Sequence, residues 1–299
     1  MNTNNKNNQL PTLGRWTLVE PLGSGGTAQV YLGYDLTTRQ QAAVKIFTLD
    51  YESSLVFMKI EEKSLKSSSH PNIISLIESY ESIEFCHPDT KKSKRICAIA
   101  MEYASKGGLF EFLEENECFL EDGARLFFTQ LVSGLSYLHE KKIAHGDIKL
   151  ENIMLDDKYT LKLADFGHSS EISPKKLITS PAGTPGYYAP EVHAKLPYSA
   201  EAADLFAAGI VLFAMVAGHM PFVDAVEKDK LYGLFYRNNQ SAFWEHHERL
   251  MQLKGLDIEF SESFKDLVEK MLHPNPTERL TLEEIQNHPW MKTEVMEVN

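Results

Sequence analysis

Two short stretches near the middle of the chain decide the fold. Residues 144–152 read Ala-His-Gly-Asp-Ile-Lys-Leu-Glu-Asn, and residues 164–167 read Ala-Asp-Phe-Gly. Between them, residues 153–163 form two apolar runs on either side of the turn signal Asp-Asp-Lys-Tyr, which predicts a tight hairpin. Because paired strands lie about 4.8 Å apart, this hairpin would bring Asn152 and Asp165 to neighbouring strand ends.

The polar residues at these strand ends predict a cation site. Amide and carboxylate oxygens, from Asn152 and Asp165, are ligands that Mg²⁺ takes together with phosphate oxygens. Asp147 would face the same place from the preceding loop. Acidic residues often only cap turns, and that interpretation is adequate for Asp156 and Asp157. It does not explain the other three polar residues together, so the sequence favours a magnesium site for a triphosphate.

A glycine-rich stretch near the start of the chain is the second sign of phosphate handling. Residues 22–30 read Leu-Gly-Ser-Gly-Gly-Thr-Ala-Gln-Val and lie between two strand-like runs. Glycines there let backbone N–H groups approach phosphate oxygens. Alone, the stretch indicates only a turn. It is not a Walker A loop, since no Gly-Lys-Ser/Thr closes it, and a strand follows where a dinucleotide-binding loop has a helix.

A lysine in a predicted strand is the third sign. Residues 42–46 read Ala-Ala-Val-Lys-Ile, and strand alternation places Ala43 and Lys45 on one face, with Val44 and Ile46 on the other. A small residue beside a lysine would leave room for a flat base and place a cation over its phosphates. A lone lysine in a strand is usually a surface residue. Lys45 is therefore interpreted as a phosphate-binding residue only because the two central stretches, 144–152 and 164–167, are also present.

In this order, the stretches resemble the eukaryotic protein kinase family over about residues 16–290. The resemblance implies an α+β, bilobal fold. A small antiparallel β-rich N-lobe with one main helix is expected at 15–103, and a larger helical C-lobe at 104–290. Residues 1–14 are expected to be a disordered Asn-rich tail, and 291–299 a short C-terminal tail.

The resemblance also implies catalytic roles, which come from the family and not from spacing. Asp147 matches the residue that orients and deprotonates the substrate hydroxyl, and Lys149 matches the lysine that neutralises the phosphate in transfer. Thr184 matches the threonine that bonds Asp147. Asn152 and Asp165 match the two Mg²⁺ ligands.

Further roles concern ATP. Lys45 matches the lysine that holds the α- and β-phosphates, and its helix partner should be Glu61, with Glu62 as the alternative. Met101 falls at the gatekeeper position, and the next three residues supply hinge backbone for the adenine. The other residues expected to contact ATP are Leu22, Gly23, Gly25, Val30, Ala43, Glu102, Tyr103, Ala104 and Met154. Glu191 and Arg279 match a structural ion pair, and Asp204 is also expected to be structural.

The sequence departs from the family pattern at several positions. Ala28 replaces the third glycine of the loop, Gly108 replaces an acidic residue, and Phe206 lies near the position of a missing tryptophan. Gly146 replaces an arginine that pairs with a phosphorylated activation loop. We therefore expect substantial activity without loop phosphorylation; the alternative is that Lys162 or another cation binds a loop phosphate.

The resemblance implies transfer of the γ-phosphate of ATP to serine or threonine hydroxyls of proteins. A pseudokinase acting as an ATP-binding scaffold would need a lost catalytic residue, and none is lost. A small-molecule phosphotransferase should lack residues 183–191. Lys149 and Thr184 resemble the Ser/Thr branch, and residues 183–187 and 287–290 resemble its calcium/calmodulin-dependent and AMP-activated group.

Glutamates near the catalytic loop predict a substrate preference. Glu151 stands where related kinases present an acid to a basic side chain two positions before the acceptor. Further negative charge comes from Glu111, Glu114, Glu115 and Glu117. The alternative interpretation of these four residues is a solvated helix face.

Composition excludes other functions. The 299 residues carry 30 basic and 42 acidic side chains, a net charge of -12, which argues against nucleic acid or an anionic membrane as partner. Three widely spaced cysteines suit a reduced cytosolic or nuclear compartment. The apolar run 205–217 is too short to span a bilayer and predicts a buried helix.

Periodicity completes the outline. A polar helix is expected at 51–68, and strands at 73–83 and 96–103. The polar excursion 87–95 between them is interpreted as a solvated hairpin tip, with a docking site as the alternative. A helix with one buried stripe is expected around residues 128–138.

Overall fold

The computed structural model describes residues 10–86, 93–173, 177–256 and 258–293, and the chain divides into two compact units. The first unit holds residues up to Ser69 together with Ile74–Ala104; the second holds His70–Ile73 and the chain from Ser105 onward. The predicted α+β class is confirmed, because the first unit is built on an antiparallel sheet and the second is mainly helical.

The first unit is one six-stranded sheet with a single helix among its described residues. The sheet order is β1-β2-β3-β4-β6-β5, with every pairing antiparallel. Its elements are β1 (Thr12–Leu13), β2 (Trp16–Ser24), β3 (Ala28–Asp35), β4 (Gln41–Phe47), α1 (Tyr51–Lys66), β5 (Leu76–Cys86) and β6 (Ser93–Met101). Trp16, Val44 and Ile46 lie in its hydrophobic core. Val44 therefore faces this core, and strand alternation turns Lys45, the next residue, to the other face of the sheet.

The expectation of a disordered tail is wrong at Thr12 and Leu13. These residues form β1, where Leu13 pairs with Trp16 and is almost completely buried. Burial of the apolar Leu13 side chain beside Trp16 lowers the free energy of the folded state more than burial of the preceding polar residues would. Residues 1–9 of the expected tail lie outside the described residues.

The strand boundaries also differ from expectation, since β5 ends at Cys86 and β6 at Met101. The predicted strand at 73–83 begins only at Leu76, because Ile73 is buried in the second unit and forms a parallel bridge with Leu163. The polar excursion is shorter than predicted, since residues 93–95 belong to β6. The remainder of the excursion, 87–92, lies outside the described residues.

The second unit contains most of the helices. Its elements are α2 (Leu109–Asn116), α3 (Glu121–Glu140), β7 (Ile143–Ala144), β8 (Ile153–Leu155), β9 (Leu161–Leu163), β10 (Ser170–Glu171), α4 (Pro190–His193), α5 (Ala200–Ala217), α6 (Gly233–Tyr236), α7 (Gln240–Leu253), α8 (Glu262–Met271), α9 (Leu282–Asn287) and α10 (Pro289–Lys292), with 3₁₀ turns at Leu150–Asn152 and Pro185–Tyr187. The predicted stripe on α3 is confirmed, because Phe128, Leu131, Leu135 and Leu138 are fully buried.

Helix α5 is the central helix of this unit. Ser199 caps its start by accepting a hydrogen bond from the backbone N–H of Ala202, and Gly218 ends it in the left-handed conformation at φ 65°. By length and composition it could cross a membrane, but 78% of it is buried inside the protein. It also packs against α3 and α8. Its apolar character is therefore that of a core helix, as predicted from residues 205–217.

One histidine of this unit is buried among aromatic rings. The His247 ring on α7 lies 4.4 Å from the Phe243 ring and 4.7 Å from the Phe213 ring, centroid to centroid. Its Nε2 donates to the Pro221 carbonyl oxygen at 3.1 Å. Burial lowers the pKa of His247 from 6.5 to about 3. The folded state therefore holds this ring neutral at pH values where the unfolded chain would protonate it.

We expect this histidine to make folding stability fall with acidity. The folded pKa is lowered, so unfolding takes up a proton once the pH drops below 6.5. Between about pH 7.5 and about pH 5.5 the loss from His247 is about 1 kcal/mol. Urea unfolding of His247→Gln should show a pH dependence smaller by that amount. His246→Gln, which changes the exposed neighbour on the same helix, should behave as wild type; equal pH dependence in all three proteins would contradict this.

Candidate active site

The central hairpin is present as predicted. Strands β8 and β9 pair antiparallel, with Ile153 opposite Leu163. Asn152 directly precedes β8, and its carbonyl oxygen accepts a hydrogen bond from the backbone N–H of Ala164 at 2.9 Å. This bond brings Asp165, the next residue, beside Asn152.

Three side chains hold the Asp147 carboxylate. The Thr184 hydroxyl donates to Oδ1 at 2.8 Å, and the Asn152 side-chain nitrogen donates to Oδ2 at 3.0 Å and to the Asp147 carbonyl oxygen at 2.8 Å. Lys149 Nζ lies 2.9 Å from Oδ2 and donates to the Thr184 hydroxyl oxygen at 2.8 Å. Both carboxylate oxygens are thus held in one orientation, at a residue that is only 6% exposed.

The backbone beneath Asp147 is anchored on α5. Asp204, which is 2% exposed, accepts hydrogen bonds from the backbone N–H groups of His145 and Gly146, each at 2.8 Å. The Asp204 carboxylate also lies 3.0 Å from His139 Nε2. A buried carboxylate needs several such partners. The loop that carries Asp147 supplies two of them, so its position is fixed by the helix.

His145 is a residue whose part in the site the sequence left unassigned. Its ring packs on Phe166 at 4.7 Å and its Nε2 donates to the Ala164 carbonyl oxygen at 3.0 Å. Complete burial lowers the pKa of His145, so the neutral ring is the folded form. It connects the loop before Asp147 to the segment before Asp165, a contact between distant stretches that no local pattern indicates.

Asn152 and Asp165 present the oxygen donors expected for a hard cation. The Asn152 side-chain nitrogen is used by Asp147, which leaves its amide oxygen as the atom suited to a ligand. Asp165 has a left-handed backbone, at φ 61°, a conformation that costs a non-glycine residue of order 1–3 kcal/mol and is concentrated at functional sites. One amide and one carboxylate fit Mg²⁺, which takes few protein ligands and completes its shell with phosphates and water.

The expected structural ion pair of this unit is present. Arg279 makes two parallel hydrogen bonds to Glu191, at 2.7 and 2.6 Å, and both side chains are buried. The Arg279 guanidinium also lies over the Phe206 ring, 4.7 Å from its centroid. Phe206, noted in the sequence only as a departure from the family pattern, therefore packs on the arginine that holds α4.

In the first unit, the partner of Lys45 is Glu61. Lys45 Nζ donates to Glu61 Oε2 at 2.7 Å, and both side chains are almost completely buried. The alternative residue, Glu62, instead pairs with Lys66 at 2.6 Å and accepts a hydrogen bond from Ser79. The α-helical spacing of α1 turns neighbouring residues to different faces, so only one of the two glutamates meets the strand.

The residues expected around ATP are distributed over both units. In the first, Val30 pairs with Lys45 across β3 and β4, and Ala43 pairs with Met101 across β4 and β6. Leu22 and Gly23 end β2, Gly25 lies in the following turn, and residues 102–104 follow β6. A side chain added at Gly23 or Gly25 would meet no atom within 4 Å, so packing does not require these glycines. Met154 belongs to the second unit, on β8.

Comparison with known proteins gives this geometry its family. The family model described as "Protein kinase domain" matches residues 16–291. The chain belongs to the protein kinase family. It is 32% identical to the probable serine/threonine-protein kinase MARK-A of Dictyostelium discoideum, over 94% of this chain and 24% of that protein.

Other relatives agree. The chain is 31% identical to the serine/threonine-protein kinase GIN4 of Saccharomyces cerevisiae, over 94% of this chain and 24% of that protein. It is also 31% identical to CBL-interacting protein kinase 31 of Oryza sativa, over 94% of this chain and 58% of that protein. These names confirm the resemblance to the Ser/Thr branch and its calcium/calmodulin-dependent and AMP-activated group. The chain spans between about a quarter and three fifths of the length of these three relatives.

Proposed function

We propose that this kinase domain is catalytically active and transfers the γ-phosphate of ATP to serine or threonine hydroxyls of proteins. The observation that carries the proposal is the Asp147 carboxylate, held on both oxygens by Thr184, Lys149 and Asn152. A base must be held within hydrogen-bond reach of the proton that it takes. Three side chains fix the direction of the Asp147 carboxylate, so its oxygens are held in place to accept such a proton.

Each side chain has a task in phosphoryl transfer, where positioning and charge stabilisation supply most of the catalysis. Asp147 orients the substrate hydroxyl and accepts its proton, while Lys149 places a cation beside the transferred phosphate. Lys45, fixed by Glu61, holds the α- and β-phosphates. Asn152 and Asp165 would hold Mg²⁺, which neutralises charge on the phosphates when bound. Thr184 acts through Asp147.

The competing functions have weaker support. A pseudokinase is expected to have lost a residue such as Lys45, Asp147 or Asp165, and each of these is present, with Lys45 and Asp147 in the pairings described above. A small-molecule phosphotransferase is expected to lack residues 183–191. Here that segment is built into the site, because Thr184 bonds Asp147 and Glu191 bonds Arg279.

We expect Lys45→Met and Asp165→Asn each to lower kcat/KM by more than about 100-fold, because each removes charge stabilisation from the phosphates. Asp165→Asn should remain folded. Lys45→Met removes a partner of the buried Glu61 carboxylate, so a lower melting temperature is expected for that variant. Radiolabelled phosphate transfer to a mixture of Ser/Thr peptides, with thermal melting alongside, measures both. Lys94→Met changes an exposed strand lysine of the same unit and should be neutral. Near-full activity in Lys45→Met would defeat this assignment.

The substrate is proposed to carry a basic residue two positions before the acceptor. Glu151 is exposed, and its Oε2 lies 3.3 Å from the Tyr187 hydroxyl. Beside it is a cavity of about 140 Å³, lined by Phe110, Leu113, Glu114, Glu117, Leu150, Tyr187, Ala214, Gly218, His219 and Met220. Of the four helix glutamates, Glu114 and Glu117 border this cavity, whereas Glu111 and Glu115 do not and fit the solvated-face interpretation.

Peptides with Arg at that second position should be phosphorylated at least several-fold better than peptides with Glu there. Glu151→Gln should remove most of the difference, because it deletes the charge without changing the shape of the side chain. Glu115→Gln, outside the cavity, should leave the preference unchanged. Measuring kcat/KM for the two peptides with all three proteins checks this. Equal rates for Arg and Glu peptides with the wild-type protein would refute the preference.

Loop phosphorylation is proposed to matter little. Gly146 has a left-handed backbone, at φ 79°, and a side chain added there would overlap the backbone carbonyl oxygen of His168. The position therefore excludes the arginine that would bind a loop phosphate. The alternative cation, Lys162, is buried with its Nζ 3.9 Å from Asp156.

Phosphatase treatment should therefore leave kcat/KM within about tenfold of its starting value. The bare loop is to be verified by mass spectrometry, and one peptide serves throughout. A drop of more than about tenfold, equivalent to about 1.4 kcal/mol of transition-state stabilisation, would show that loop phosphorylation governs activity. In that event, Lys162→Met would test whether Lys162 binds the loop phosphate.

A further inference from the structure

The described residues of the activation segment of this domain, 168–173 and 177–184, make several hydrogen bonds to their surroundings. The first of these stretches pairs with β7 through β10, and the backbone N–H of Ile172 donates to the Lys142 carbonyl oxygen at 2.8 Å. The two described stretches include no lysine or arginine. These two stretches therefore contribute no lysine or arginine to an ion pair with acidic neighbours.

The second stretch pairs with the chain just before α5. Ile178 and Tyr198 form an isolated antiparallel bridge, with backbone N···O distances of 2.9 and 3.0 Å. The Tyr198 hydroxyl donates to the Ser180 carbonyl oxygen at 3.3 Å. Burial raises the pKa of Tyr198, so this hydroxyl keeps its proton and remains a donor. We call this bridge and hydroxyl contact the Tyr198 tether.

A small cavity lies beside the tether. Tyr198 and Ile178 line this cavity of about 80 Å³ together with Gly146 and Thr184. The rest of its wall includes the larger side chains of Ile148, Tyr187, Tyr188 and Val192 as well as five alanines. Tyr198 is 7% exposed, so it is packed as well as hydrogen-bonded. The side chains that face the cavity lose dispersion contacts on that side, and the hydrogen bonds of the tether add to the packing that remains.

The tether is close in sequence to the group that holds the proposed catalytic base. Thr184, which bonds Asp147, follows Ser180 by four residues. Between them, the Gly183 carbonyl oxygen accepts a hydrogen bond from the Tyr188 hydroxyl at 3.1 Å. A segment fixed at Ser180 and at Gly183 has little freedom left at Thr184.

We infer that Tyr198 is a positioning residue, which holds the activation segment so that the Thr184 hydroxyl meets Asp147 without a phosphate. This inference rests on the proposed kinase function. Tyr198 touches neither substrate nor nucleotide in this account; it acts through the backbone of Ser180 and Ile178. Loss of the tether should affect the rate of phosphoryl transfer and leave the KM for ATP unchanged.

Two variants test the tether, with hydrogen exchange and kinetics measured on the same proteins. Tyr198→Phe removes the hydroxyl contact, and Ile178→Pro removes one backbone donor of the bridge. In each, amides of residues 178–184 should exchange roughly two- to tenfold faster, the range expected for one lost hydrogen bond. kcat should fall by a similar factor, with the KM for ATP unchanged and with phosphatase treatment making no further difference.

The control is Tyr232→Phe, which removes a buried tyrosine hydroxyl that donates to the Leu272 carbonyl oxygen at 2.9 Å. It should lower the melting temperature yet leave exchange in 178–184 and kcat as in wild type. Wild-type exchange and kcat in both tether variants would overturn the inference, as would faster exchange with unchanged kcat. Should the wild-type protein transfer no phosphate, the proposed function fails, and exchange in 178–184 still decides whether the tether orders the segment.

Discussion

The buried carboxylate of Asp204 is the constraint on which the second unit depends. It lies in the first turns of α5, whose surroundings are almost entirely apolar, so its charge must be satisfied by nearby donors. Two of these are backbone N–H groups of the loop before Asp147. Removing either partner would leave a buried charge, which is among the costlier changes a protein can undergo. The core helix thereby dictates where the proposed catalytic base is placed.

Two left-handed backbone conformations lie next to this anchor, at Gly146 and Asp165. Gly146 adopts this conformation at little cost because it has no Cβ, and the backbone of His168 fills the space of a side chain there. Asp165 has a Cβ, so its conformation is strained and persists only where surrounding contacts enforce it. The pairing of Ala164 with Asn152 is one such contact.

Much of this arrangement could be predicted from sequence because its signals are local. The hairpin of β8 and β9 is predicted by a turn signal between two apolar runs. The choice of Glu61 over Glu62 comes instead from the family resemblance. The errors have tertiary causes. Ile73 has the apolar character of a strand residue, but it is buried in the second unit. Leu13 packs beside Trp16, although the polar residues before it favour a disordered tail.

Contacts between distant stretches could be predicted only where the family resemblance implies them, as for Glu191 and Arg279. Phe206 looked like a lost tryptophan, yet its ring packs on Arg279, and nothing around Tyr198 indicates its bond to Ser180.

Single-turnover phosphate transfer by Asp147→Asn tests directly whether Asp147 is the base that accepts the substrate proton. The substitution keeps the size of the side chain and one oxygen that can accept from the Thr184 hydroxyl. Its amide nitrogen cannot accept the hydrogen bond that Asn152 donates, and the carboxylate that would take the proton is gone. With saturating ATP, Mg²⁺ and a Ser/Thr peptide, transfer by this variant should be at least about 100-fold slower than by wild type, with unchanged ATP binding. A wild-type rate of transfer would show that Asp147 is not the base.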